Sequence, residues 1–145
     1  MSVTETSGTS THLPQSRLAR SAVVVAASVV TALVIDLALW AVGLIAGGSF
    51  EHTDAGEVVS AAPGGVVLMS VVPLTVGLAV AALLTLWWNG FARIAQVVGA
   101  LLPLATIQGT ISADFDTPST VALTLMHVVI AVVVVVALEM LRTRD

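Results

Sequence analysis

Four long apolar runs constrain this chain more than any other feature. They cover about residues 21–46, 64–88, 94–111 and 121–141, and the stretches between them are short and polar. Roughly 20 apolar residues rising 1.5 Å each cross the ~30 Å hydrocarbon core of a bilayer. The runs match that length, so the expected fold class is all-α and membrane-embedded, a four-transmembrane-helix antiparallel bundle. The Val132 to Val136 segment has strand propensity. In lipid, however, an open strand edge leaves backbone groups unpaired, whereas a helix satisfies its own.

Composition agrees. Of 145 residues, 57% are hydrophobic and 10% are charged, where soluble domains carry about 25% charge. Too few charges are present to cover a soluble surface. That excludes an ordinary cytosolic enzyme and a disordered chain. Nine acids against five basic residues give a net charge of −4, which argues against a nucleic-acid partner. Cysteine is absent, so disulfides, thiol redox chemistry, iron–sulfur clusters and thiolate zinc sites are excluded in this chain. All five basic residues are arginine, and alanine and valine dominate. We read this as the codon bias of a high-G+C bacterium.

The arginines orient the chain. Arg17 and Arg20 precede the first run, Arg93 lies between the second and third, and Arg142 and Arg144 follow the fourth. All fall on one side of a four-pass topology. The opposite connections hold Glu51, Asp54, Glu57, Asp114 and Asp116 and neither Arg nor Lys. The positive-inside rule then puts both termini in the cytoplasm and the protein in the bacterial inner membrane. Residues 1–16 read as a disordered cytoplasmic tail and 17–145 as the transmembrane domain. The first run exceeds the 7–15 residues of a signal-peptide core, and Gly47-Gly48-Ser49-Phe50 is a poor cleavage site, so the first helix is expected to stay. Residues 47–63 read as a polar, acidic loop, and Ser119 or Thr120 as the cap of the last helix. The pair Trp87-Trp88 and the single Trp40 suit opposite interfaces, although Trp40 could equally serve packing.

Asp36 is the most unusual residue. It lies just past the middle of the first run, where a charge costs about 2.5–3.5 kcal/mol on insertion, so it must face the bundle interior or water. His127, in the outer half of the last run, is its expected partner. Ser70 and Thr75 flank Pro73, and Thr106 and Gln108 follow Pro103. Each proline removes a helical hydrogen bond, so these four residues could line a small hydrated pocket. The alternative is structural: intramembrane Ser and Thr bond their own backbone, Gln bonds a neighbouring helix, and an Asp–His pair locks two helices.

Glu139 has Arg142 three residues on, the spacing of a local ion pair. Gly43-x-x-x-Gly47 and Gly77-x-x-x-Ala81 are spacings that let helices approach closely, within one chain or between two copies. The loop residues Glu51, His52, Asp54 and Glu57 fit no specific metal spacing, so no metal is expected. Phosphate-binding glycine loops, HExxH and GxSxG are all absent. With one histidine inside a span, paired haem ligation is not expected, and neither is any other cofactor.

The segment from Ala122 to Arg144 runs Ala-Leu-Thr-Leu-Met-His, then a valine-rich stretch, then Leu-Arg-Thr-Arg. With the Arg-flanked first helix and acidic outer loops, it resembles an uncharacterised family of small four-helix membrane proteins from actinobacteria. That family is a domain of unknown function, so the resemblance implies a four-pass protein and no catalytic role. It makes Leu125-Met126-His127 the segment to test first. Small multidrug exporters also have four helices and an acid in the first. Here the acid is Asp36 rather than Glu, it lies in the outer half, and the chain is longer. The expected function is a non-enzymatic accessory, scaffolding or sensing protein whose partners are the bilayer and a second copy or another membrane protein. The alternative is a small proton-coupled transporter using Asp36 and His127.

Overall fold

A computed structural model describes residues 13–61, 63–88 and 90–142. Four helices, α1 (Leu13–Ile45), α2 (Pro63–Thr85), α3 (Phe91–Ser112) and α4 (Thr117–Arg142), are each long and apolar enough to cross a membrane. Helix α1 starts ahead of its apolar run and takes in the last residues of the expected tail; residues 1–12 lie outside the described residues. The reason is that apolarity marks what can enter lipid, whereas helix propensity carries through Arg17 and Arg20. Helices α3 and α4 likewise begin a few residues before their apolar runs.

The stretch expected as a loop contains a hairpin. Strand β1 (Glu51–Asp54) pairs antiparallel with β2 (Glu57–Ser60), with Asp54 opposite Glu57. Ala55 and Gly56 turn it with φ of +50° and +89°, the paired positive angles of a two-residue hairpin turn. The signal was legible in Asp54-Ala55-Gly56 followed by Val58-Val59, but the acids on either side disguised it as solvated loop.

Helix α4 is the central element. It packs against α1, α2 and α3, while α2 and α3 touch each other less. Two apolar clusters form the core. One, near the hairpin, joins Phe50, Val66, Ala122 and Met126, with Trp40 packed on it. The other joins Ala32, Leu74, Leu78, Ala81, Val134, Ala137 and Leu138. Trp40 therefore serves packing, whereas Trp87 and Trp88 are exposed. Of the two small-residue motifs, the first does bring helices together: a Cβ on Gly43 would lie 3.0 Å from that of Ala122. The second does not. A Cβ on Gly77 would meet nothing within 4 Å.

A clasp ties the end of α1 to the start of α4. Asp116 Oδ2 accepts hydrogen bonds from the Ser49 amide (2.8 Å) and hydroxyl (2.7 Å). Its Oδ1 accepts from the Ser119 amide at 2.9 Å. Asp116 is thus the α4 cap, not Ser119 or Thr120. The Ser119 hydroxyl oxygen instead accepts from the Phe50 amide at 2.9 Å. A residue at the cap position has a free side chain facing the first-turn amides, and a carboxylate also meets the positive end of the helix dipole there.

Candidate functional site

Asp36 and Ser70 lie between the two apolar clusters. On α1, Asp36 follows the buried Ala32 by one turn; on α2, Ser70 sits one turn from both Val66 and Leu74. The inward stripes of α1 and α2 therefore bring these two polar residues face to face. Ser70 donates to Asp36 Oδ2 at 2.7 Å. Asp36 is 0% exposed, and its Oδ1 finds no hydrogen-bond partner among the described residues.

The Asp36–His127 hydrogen bond expected from depth does not form. The His127 Nδ1 instead pairs with the Leu123 carbonyl at 2.7 Å. A carbonyl only accepts, so Nδ1 carries the hydrogen, and in the neutral tautomer that leaves Nε2 as an acceptor. The choice of partner turned on helix rotation, and Ser70 is on the face that α1 meets.

A cleft of about 850 Å³ opens between α2 and α3, with α4 as its floor and hairpin residues at one end. Among the described residues, none of α1 lines it. Ser70, Thr106 and His127 do line it, as do both Pro73 and Pro103. Thr75 and Gln108 are exposed and do not. Thr106 donates to the Pro103 carbonyl at 2.7 Å, and Gln108 pairs with Ser112 on its own helix. The cleft is therefore mostly apolar. The hydrated pocket expected from these residues is replaced by a groove in which the Ser70 and Thr106 hydroxyl hydrogens are already used.

Gln96 is the glutamine that bridges helices, and sequence reading missed it. Its amide donates to Glu139 Oε2 at 2.9 Å and to the Val135 carbonyl at 3.2 Å, linking α3 to α4. Glu139 also forms the expected ion pair with Arg142. The available signal was a lone amide one turn past Phe91-Ala92-Arg93, near the same end as Glu139. Among the described residues, no three His, Asp or Glu side chains gather as a metal site.

A family of unknown function, DUF6069, matches residues 15–144. The chain belongs to that family. The match takes in every described helix almost in full, so the clasp, the Asp36–Ser70 bond and the cleft all lie within the family region. None of the curated proteins and none of the solved structures matches this chain. The family description assigns no activity.

The clasp has a pH signature. The Ser49 hydroxyl, the Ser119 and Ser49 amides hold the Asp116 carboxyl well below the usual carboxylate range. A carboxyl whose pKa is depressed by folding stabilises the fold fully above its unfolded value, near 3.9, and loses that contribution as pH falls through the depressed value. Melting in detergent should therefore show stability declining below about pH 4. Asp116→Asn should start less stable and lose less on acidification. Parallel acid limbs for the two proteins would remove Asp116 from the explanation.

Proposed function

We propose that this family member is a four-pass integral membrane protein of the bacterial inner membrane, with adjacent helices antiparallel and both ends cytoplasmic. It acts without catalysis, as an accessory or sensing protein that recognises a membrane-borne molecule through the α2–α3 cleft. The observation that carries the reading is the sorting of charge about four apolar helices. Arg17 and Arg20 lie at the start of α1, Arg93 at the start of α3 and Arg142 at the end of α4, while the hairpin and the α3–α4 connection are acidic. The non-catalytic role is supported by the way the polar groups at depth are used. Ser70 bonds Asp36, Thr106 bonds Pro103 and His127 bonds Leu123.

Proton-coupled transport has less support. It requires a carboxyl that exchanges protons with a path, and Asp36 is fully closed off, bonded to Ser70 rather than to His127.

Reporter fusions test the topology. A fluorescent protein after Asp145 should fold and shine, and alkaline phosphatase inserted between Ala55 and Gly56 should be active. The opposite pattern would reverse the orientation. Release of the chain from membranes by alkaline carbonate without detergent would reject the integral-membrane reading altogether.

A further inference from the structure

The cleft changes character along its length. Ser70, Thr106 and His127 line its hairpin half, whereas Leu78, Val98 and Val134 line the far half. On α2 the lining extends from Gly65 to Ala81, a rise of about 24 Å, most of the ~30 Å hydrocarbon depth. Its volume of about 850 Å³ falls within the roughly 300–1,000 Å³ of sites that enclose small molecules. Gly77 lines it, and the absence of any atom within 4 Å of a Cβ there marks real space beside α2.

The polar half offers acceptors. The Ser70 and Thr106 hydroxyl hydrogens are taken by Asp36 and by the Pro103 carbonyl. His127 presents Nε2 as an acceptor, because Nδ1 is bound to Leu123. Pro73 has no N–H, so the carbonyl of Met69 lacks its usual helical donor, and both residues line the cleft. Ser60 and Thr110 line the same end with hydroxyls that can donate, so a ligand hydroxyl, which both donates and accepts, suits these groups. At the mouth, the hairpin and the α3–α4 connection carry Glu51, Asp54, Glu57, Asp114 and Asp116 and no Arg or Lys. An anionic head would be repelled there.

We propose that the cleft binds a single-chain, uncharged, hydroxyl-bearing lipid of the monoacylglycerol class. Its hydroxyl donates to His127 Nε2, and its tail lies along the apolar half toward the Arg-bearing ends. The proposal rests on the four-pass reading, because a lateral groove meets such a lipid only inside a bilayer.

The full chain in phosphatidylcholine nanodiscs, photolabelled with a diazirine-bearing monoacylglycerol, tests it. Label should map to cleft residues of α2, α3 and α4. Unlabelled monoacylglycerol should displace it several-fold better than a fatty acid of equal length or phosphatidylglycerol. Gly77→Leu should fill the groove and abolish labelling. Gly109→Leu should label like the parent, because its Cβ also meets nothing and Gly109 is outside the lining. His127→Leu should narrow the preference for the glyceride by roughly fivefold, the value of one hydrogen bond. Equal displacement by the fatty acid, or undiminished labelling of Gly77→Leu, would overturn the proposal. Should Gly77→Leu not fold, competition on the unaltered chain decides alone. A membrane-embedded chain that takes no label rejects only the lipid site, whereas carbonate release rejects the four-pass reading itself.

Discussion

Phe50→Ala is expected to destabilise the fold by about 3–5 kcal/mol, the range for emptying a buried phenylalanine. Phe50 is 1% exposed and anchors the cluster at the hairpin end with Val66, Ala122 and Met126. Its ring lies 6.1 Å from that of Trp40. Its backbone is held on both sides, the amide donating to Ser119 Oγ and the carbonyl accepting from the Ala61 amide at 2.7 Å. The residue also has φ of +55°, a left-handed conformation that costs an L-residue roughly 1–2 kcal/mol. Ring burial offsets that cost, and alanine would retain the cost without the ring. Phe50→Gly should therefore be no worse than Phe50→Ala, although glycine is usually the poorer choice. Thermal unfolding in detergent followed by circular dichroism reads both. Losses under about 1 kcal/mol in both variants would show that this cluster does not anchor the fold.

Gly43→Leu should be comparably damaging for the opposite reason. A Cβ at Gly43 would lie 2.6 Å from Phe50 Cζ and 3.0 Å from Ala122 Cβ. The nearer neighbour is a ring locked in the core, and the other is one helix turn's wall, so neither yields cheaply. Overpacking of this kind costs about 1–3 kcal/mol and sometimes more. It should also part α1 from α4 beside the clasp, drawing Ser49 away from Asp116. Combining Gly43→Leu with Phe50→Ala should cost less than the two losses added together, because the leucine enters space that the ring leaves. Strict additivity would mean that Gly43 and Phe50 do not share that space.

Several local features were legible in the residues. Run lengths located the four helices, because an α-helix satisfies its backbone within itself and needs only an apolar exterior to enter lipid. The Glu139–Arg142 pair followed from i+3 spacing on one helix. Gly43 was recognisable as a contact point for small residues. Gly77 was equally recognisable, yet within this chain it meets no other helix, since the same spacing serves either a tight interface or an open groove. Nothing local distinguishes the two.

The remaining features depended on how the helices are turned against one another. Each residue step rotates a side chain by about 100° around its helix, so depth alone cannot choose a partner. Asp36 and His127 were expected at one level, yet rotation gave Asp36 to Ser70 and left His127 on the cleft. Gln96 reached Glu139 across α3 and α4 for the same reason, while Gln108 stayed on its own helix. Asp116 caps α4 through a local bond from the Ser119 amide, and the chain after α1 brings Ser49 to the same carboxyl. The sequence by itself determined which segments are helical and which ends carry the arginines, since both depend on near neighbours and on transfer into lipid. Tertiary structure alone decided the buried carboxyl's partner, the clasp and the cleft, since each joins residues dozens of positions apart through a rotation that no single helix encodes.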